Sequence, residues 1–337
     1  MKAFTTVILA SVVGLAGAAS AAEEVNVYSS RHYGNDQELF DLFTEKTGIA
    51  VNRIEGKGPA LLERLKAEGE ASPADVFITV DAGMFWRGEE AGVFEPISSA
   101  YLEERIPAHL RDPEGEWFGF SKRARVIYAD ADKLDALPER YEDLAKPEYK
   151  GQICIRSSSN IYNLSLMSSI IAADGQEAAQ AWAEGVVANM ARDPQGGDTD
   201  QIRAVGAGEC TLSVGNTYYV VRLLTGDNAD EKAMAERLTV IFPNQGDRGT
   251  HVNVSGAGVV KGAENQANAV KLLEFLASDE AQEHFAQGNN EYPVVPGVAT
   301  KAAVVALGDF KEDQLNVSVL GKNQPEAQKL MDRAGWK

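Results

Sequence analysis

Three β-branched runs, each followed by a segment with helical spacing of its apolar residues, fill the stretch from Val25 to Trp86 and constrain the fold more than any other feature. Val25-Asn26-Val27-Tyr28-Ser29-Ser30 alternates as a strand, and Arg31-His32-Tyr33-Gly34-Asn35 reads as a loop. Asp36 is placed to cap a helix carrying Leu39, Phe40, Leu42 and Phe43, and Gly48 is its expected stop. Residues 49–54 form a second expected strand, followed by Gly58-Pro59 and a helix with Leu61, Leu62 and Leu65. Residues 74–80 read as a third, largely buried strand, followed by a helix with Met84, Phe85 and Trp86. Alternation of this kind packs as a mostly parallel sheet wrapped by helices.

The alternation breaks twice. Residues 118–128 form a longer extended segment, and residues 249–260 form a second, glycine-containing one. Between them lies another α/β set: a strand at 152–155, helices at 160–173, 176–190 and 199–205, and a strand at 210–214 that ends in a Gly215-Asn216 turn. A helix opening with Tyr218 and Tyr219 and a strand at 238–242 complete it. Two crossings imply two lobes joined by a two-strand hinge, with a cleft between them. The expected division is 23–120 and 250–290 for the N-terminal lobe, and 121–249 and 291–337 for the C-terminal lobe.

Lys2, the apolar run at residues 7–16 and the small residues up to Ala22 have the order of a secretory signal peptide, with cleavage after Ala21 or Ala22. The run is too short to span a bilayer, and no later stretch reaches the roughly 18 uninterrupted apolar residues that spanning requires. A soluble, exported protein is expected. With 32 basic against 50 acidic residues the formal charge is -18, which makes nucleic acid and anionic membranes poor partners. The two cysteines, Cys154 and Cys210, would face an oxidising compartment, where a disulfide is favoured over two buried thiols. Neither has a second cysteine two to four residues away, so a metal–thiolate site does not fit.

Catalytic motifs are missing. Gly256-Ala257-Gly258 lies in an extended run, and its next glycine is Gly262, which breaks the dinucleotide-binding spacing. The tyrosines are more informative: Tyr33, Tyr162 and the pair Tyr218-Tyr219 each lie at or soon after the carboxyl end of an expected strand, where α/β sheets bind ligands. Ordinary half-buried packing is the plainer alternative for any one of them.

Five segments together decide between these alternatives: Tyr28-Ser29-Ser30-Arg31-His32-Tyr33, Thr79-Val80-Asp81-Ala82-Gly83, residues 121–126, Arg156-Ser157-Ser158-Ser159-Asn160-Ile161-Tyr162-Asn163 and residues 249–258. Over essentially the whole mature length the chain resembles the periplasmic ferric-ion-binding proteins of ABC transporters. That resemblance implies a two-lobed α/β binding protein of the type II-like kind, two mostly parallel sheets joined by the hinge, and transport rather than catalysis. It implies Tyr33, Tyr162, Tyr218 and Tyr219 as phenolate ligands of Fe(III), His32 at the imidazole position, and Arg123 and Arg222 as cations beside the site. An inner-membrane ABC permease is the implied partner, and a periplasmic monomer is expected. Some members carry a glutamate just after the third strand; Val80 stands there here, which implies the tyrosine-rich subgroup and argues against an obligatory bound anion. Ser157, Ser158, Ser159 and Asn160 either cap the following helix or also seat a small anion at its N-terminus. His109, His251 and His284 read as structural or exposed.

The chemistry of the donor set supports the same metal. Ferric ion is a hard cation matched by anionic oxygen. A phenol of pKa about 10 gives up roughly 4 kcal/mol to ionise at neutral pH, and only a strong Lewis acid offsets several such costs in one place. The nearest rival is the same fold binding a polyamine or a phosphonate; polyamine sites favour carboxylates and aromatic walls, not clustered phenols flanked by arginines. A hydrolase using Ser157 or Ser158 with His32 lacks any nucleophile elbow.

Overall fold

The computed structural model of the protein describes residues 23–31 and 36–337. The expected signal peptide at residues 1–22 and the loop residues His32, Tyr33, Gly34 and Asn35 lie outside the described residues.

The first strands and helices follow the sequence pattern closely: β1 (Glu24–Ser29), α1 (Asp36–Thr47), β2 (Ala50–Glu55), α2 (Gly58–Glu68), β3 (Val76–Val80), α3 (Ala82–Glu90) and α4 (Ala100–Arg105). Gly48 ends α1 at φ 74°, a left-handed conformation that a side chain would strain. Pro59 sits in the first turn of α2, where its missing N–H has no intrahelical partner to lose. The first crossing segment is β4 (Phe118–Ala129), followed by β5 (Ile153–Cys154), α5 (Ile161–Asn189), α6 (Asp198–Ala207), β6 (Leu212–Asn216), α7 (Thr217–Thr225), α8 (Ala229–Glu236) and β7 (Thr239–Ile241). The return crossing is β8 (Val252–Val259). After it come α9 (Gln266–Leu276), α10 (Asp279–Asn289), β9 (Tyr292–Pro293), α11 (Ala302–Val305), α12 (Ser318–Lys322) and α13 (Gln324–Arg333). The two helices expected at 160–173 and 176–190 run on as α5, broken at Gly175, whose φ of 84° is non-helical.

The strands hydrogen-bond in the order β2-β1-β3-β8-β4-β6-β5. Pairing is parallel for β1 with β2 and β3 and for β5 with β6. It turns antiparallel wherever a crossing strand takes part, as in β3 with β8, β4 with β8 and β4 with β6. The crossing strands therefore join two parallel-strand units into one ladder. β4 spends its first half on β8 and its second half on β6 and β7. Where β4 and β8 approach, a Cβ on Gly256 would lie 2.0 Å from the Phe118 carbonyl oxygen, so the register needs glycine there.

Two large apolar clusters pack against this ladder. One gathers Val27, Phe43, Leu62, Phe77, Phe85, Trp117 and Leu273 around β1, β3 and β8 and runs on to Tyr128, Ile202, Val220 and Ala235 on β4, α6, α7 and α8. The other gathers Ile127, Leu144, Met167, Trp182, Val214 and Met331 around the far half of β4, α5 and α13. Among the described residues no helix is long and apolar enough to cross a membrane.

The cysteine pairing expected from the sequence is present: Cys154 and Cys210 form a disulfide with a Cα–Cα distance of 5.8 Å, across a sequence separation of 56 residues. Both are buried beside Ala204 and Val205. Closing a loop of that length removes disorder from the unfolded chain, by about 4 kcal/mol in the chain-entropy account. Reduction, or replacement of both cysteines by serine, is expected to lower the urea midpoint accordingly. Coincident unfolding curves for oxidised and reduced protein would show that the bridge contributes nothing.

Candidate metal centre

β6 is buried along its whole length and continues through Gly215 and Asn216, so the turn expected at Gly215-Asn216 is instead the last part of the strand. The reason is packing: a Cβ on Gly215 would lie 2.9 Å from the Tyr128 ring and 3.2 Å from Asp198 Cβ, and only glycine lets the strand run that close to both. The chain passes directly from Asn216 into α7, which places Tyr218 and Tyr219 in the first helical turn at the strand's carboxyl end. Tyr218 is buried and Tyr219 half-buried, with ring centroids 4.3 Å apart and planes tilted by 41°. Asn216 Nδ2 donates to Tyr218 Oη at 3.2 Å. Arg222, one turn further on, holds its guanidinium 5.1 Å from the Tyr218 ring centre and 5.8 Å from that of Tyr219.

Tyr162 occupies the first turn of α5, which Asn160 caps by accepting from the Tyr162 N–H at 3.1 Å. Three guanidinium groups surround its ring: Arg123 at 5.7 Å, Arg125 at 5.9 Å and Arg156 at 5.7 Å. Arg123 and Arg125 are two residues apart on β4 and so share one face of the strand. Arg156 follows β5. Burial alone would make the Arg123 guanidinium easier to deprotonate, but Glu291, the phenols of Tyr162 and Tyr218, and Asp81 reverse this and hold its pKa above the ordinary value. Arg156 behaves likewise: against its burial stand Asp198 and the phenols of Tyr219 and Tyr162. Arg123 thus feels Tyr162 and Tyr218 together, and Arg156 feels Tyr162 and Tyr219. The three described phenols converge on one cationic wall.

That wall is tied down. Arg125 donates to Asp198 at 3.0 Å, to Asn216 Oδ1 at 2.9 Å and to Asn163 Oδ1 at 2.6 Å, and Arg156 donates to the other oxygen of Asp198 at 3.1 Å. Arg123 donates to Ser255 Oγ at 3.1 Å. Among the described residues no group of three or more His, Cys, Asp or Glu side chains is placed to hold a metal ion.

The segment before Tyr162 is held from several sides. The Ser158 N–H donates to the Lys337 carbonyl at 2.9 Å, and Trp336 Nε1 donates to the Arg156 carbonyl at 3.0 Å, so the C-terminal residues hold this loop from behind. The hydroxyls of Ser157 and Ser159 bond each other at 2.9 Å. His32 and Tyr33 lie outside the described residues, but their flanks converge: Arg31 pairs with Asp36 at 3.5 Å and with Glu291 at 3.6 Å, all three buried. His251 is buried, and burial together with the guanidiniums of Arg125, Arg248 and Arg123 pulls its pKa down to about 3, so it is neutral and structural.

A family model of the bacterial extracellular solute-binding proteins matches residues 71–311, well over half of the chain. The chain belongs to this family. This solute-binding protein is 54% identical to iron uptake protein A1 of Synechocystis over 318 residues, covering 94% of this chain and 88% of that protein. Its backbone resembles that of a Trichodesmium protein (IdiA, FutA) solved in complex with iron and citrate, with 55% identity, a TM-score of 0.91, and coverage of 93% of this chain and 100% of the other. It also resembles apo FutA2 from Synechocystis, with 48% identity, a TM-score of 0.90, and coverage of 94% and 100%.

Sequence reasoning placed Tyr162, Tyr218, Tyr219, Arg123 and Arg222 but passed over Arg125, Arg156 and Asp198. Arg125 was open to detection, since it stands two residues from Arg123 in an extended segment and must share its face. Asp198 was not, because nothing local distinguishes it from the many surface carboxylates. Asp81 was also passed over. It caps α3 at φ 85°, accepts from the Gly83 N–H at 2.8 Å, from Ser165 Oγ at 2.8 Å and from Asn253 Nδ2 at 2.9 Å, and so ties α3 to α5 and β8.

Burial outweighs these donors and the Arg123 charge and raises the Asp81 pKa to about 6. A carboxyl whose folded pKa is raised binds its proton more tightly folded than unfolded. Its contribution is present below about pH 4 and fades as pH rises through about 6, a change of about 3 kcal/mol. Replacing Asp81 by asparagine in the solute-binding protein is expected to flatten the stability profile over that window. Urea unfolding of both proteins at pH 4, 5, 6 and 7 checks it: parallel profiles would mean that Asp81 does not titrate there.

Proposed function

We propose that this chain captures Fe(III) in a cleft between two lobes and delivers it to an inner-membrane ABC permease. The observation that carries the reading is the convergence of Tyr162, Tyr218 and Tyr219 on the wall made by Arg123, Arg125 and Arg156. Buried guanidiniums beside phenols favour the phenolate form, which is the form that binds a hard trivalent cation. Relatives named for iron uptake and ferric iron binding supply the cargo: iron uptake protein A1, and the major ferric iron-binding protein of Neisseria meningitidis at 28% identity. Tyr33 is the fourth phenolate in this reading and His32 stands beside it, both from the loop after β1. Arg123 and Arg222 balance the charge of the loaded site.

The lobes in this reading are residues 23–120 with 250–290, and 121–249 with 291–337. The passage of β4 and β8 between the two parallel-strand units supports the division. In this reading the mature chain, exported through the signal peptide at 1–22, works in the periplasm as a monomer, and the formal charge of -18 makes nucleic acid a poor partner. With Asn160 committed to capping and the Ser158 amide bonded to Lys337, the segment from Ser157 to Asn160 presents α5 and is not required to seat an anion.

Fe(III) added as its citrate is expected to colour the protein orange to red through a tyrosinate-to-iron charge-transfer band. Since Tyr162, Tyr218 and Tyr219 all stand on the second lobe and Tyr33 on the first, Tyr218→Phe should weaken binding more than Tyr33→Phe, while Tyr33→Phe should leave the protein extended in solution scattering. A colourless loaded protein, or affinity and compactness unchanged in both variants, would overturn the reading.

Release follows from charge. Reduction lowers the metal's charge by one, and Fe(II), the weaker Lewis acid, no longer offsets four phenol ionisations. Affinity should fall steeply on reduction and as protons compete for the phenolates below neutral pH. Arg222→Gln should weaken the ferric form while leaving the fold intact. Titrations in both oxidation states at several pH values check this; equal, pH-independent affinities would mean that phenolates do not hold the metal.

A further inference from the structure

Asp198 touches none of the three described phenols, yet every arm of the cationic wall behind Tyr162, apart from Arg123, ends on it. Its side chain is fully buried, in the first residue of α6, where the helix's positive end favours a carboxylate. One oxygen accepts from Arg125 Nη1 at 3.0 Å and from the Asn216 N–H at 3.1 Å; the other accepts from Arg156 Nη1 at 3.1 Å. Each partner leads to a tyrosine. Arg125 continues to Asn163, the neighbour of Tyr162, at 2.6 Å, and Asn163 Nδ2 in turn donates to the Arg156 and Ser157 carbonyls at 2.9 and 3.1 Å. Asn216 continues to Tyr218 Oη at 3.2 Å.

We propose that Asp198 is a positioning residue for metal capture: it sets the separation between the turn that carries Tyr162 and the turn that carries Tyr218 and Tyr219. The inference rests on the phenolate reading of the site. The turn that carries Tyr162 follows β5, and the turn that carries Tyr218 and Tyr219 continues its parallel neighbour β6; the carboxylate ties the two together through two guanidiniums and one backbone N–H. It also keeps buried Arg125 and half-buried Arg156, each with a buried Nε that has no hydrogen-bond partner among the described residues, from turning away from the Tyr162 ring. Residues that orient metal ligands in this indirect way typically change affinity by about 10- to 100-fold when altered.

The test compares Asp198→Asn, Arg156→Gln and the double variant with the parent protein, loading each with Fe(III) in competition with citrate and recording the charge-transfer band. Asp198→Asn keeps the side chain's shape and loses the charge that gathers the guanidiniums. It should lower Fe(III) affinity by about tenfold or more and move the band, with circular dichroism unchanged. Arg156→Gln, at a half-exposed position, should weaken binding in the same direction, Arg156→Lys should restore part of it, and the double variant should lose no more than Asp198→Asn alone. A band and affinity like the parent's in folded Asp198→Asn, or losses that multiply in the double variant, overturn the inference. If Asp198→Asn does not fold, Arg156→Gln decides: parental affinity and band overturn it. A parent protein that shows no band overturns the phenolate reading and this inference with it, whereas a coloured parent with unaltered variants overturns the positioning role alone.

Discussion

The pairing of β4 with β8 is the constraint on which the other features depend. β4 is shared: its first half lies on β8 within the ladder of β1 and β3, and its second half lies on β6, the strand that delivers Tyr218 and Tyr219. The pairing of Arg125 with Asn216 across β4 and β6 puts a guanidinium from the crossing strand beneath the turn that carries the phenols. A slip of one residue would turn Arg123 and Arg125 to the other face of the sheet and bring Ala124 to the site. The bulge between Gly119 and Ser121, and the glycine at 256 that lets the strands close up, belong to the same requirement.

Burying three guanidiniums is costly unless each finds compensation, and the site provides it unequally. Arg125 and Arg156 share the single carboxylate of Asp198, which leaves that group with one excess positive charge. Arg123 has no carboxylate in direct contact and draws instead on the fields of Glu291 and Asp81 and on the phenols themselves. The wall is therefore under-neutralised from the protein side, and in the proposed phenolate reading the ionised tyrosines supply the missing negative charge. Stability of the empty fold and readiness to bind a cation through phenolates pull on the same arginines from opposite directions.

Much of this was legible from residues alone. The alternation from Val25 to Trp86, the two crossings and the disulfide all follow from periodicity, glycine placement and compartment. Tyr218 and Tyr219 could be placed because a strand running into a helix is a local pattern. The end of β6 was misplaced because Gly215-Asn216 has the composition of a turn, while the actual cause of that glycine is the approach of Tyr128 and Asp198 from elsewhere in the chain. Asp198 and Asp81 escaped for a related reason. A carboxylate becomes an organiser only when distant segments fold over it, and in a chain with 50 acidic residues local sequence does not set these two apart from the rest.

The C-terminal segment adds a third connection that two crossing strands alone would not require. α12 lies between α3 and α5 at contact so close that a Cβ on Gly321 would be 2.1 Å from Trp86 Cβ, and one on Gly83 would be 1.8 Å from Gln324 Nε2. Gln324 reaches both sides, donating to Ser165 Oγ on α5 at 3.3 Å and accepting from Arg87 on α3 at 3.4 Å, while Asp81 accepts from the same Ser165. These contacts stand close to Tyr162, three residues before Ser165 on the same helix. Separating α3 and α5 here would expose glycine-tight packing and a buried carboxylate at once. α13 and the final residues carry the constraint further, since Trp336 and Lys337 bind the loop from Arg156 to Ser158 that leads into Tyr162. The end of the chain thus links the contact between α3 and α5 to the turn that carries Tyr162.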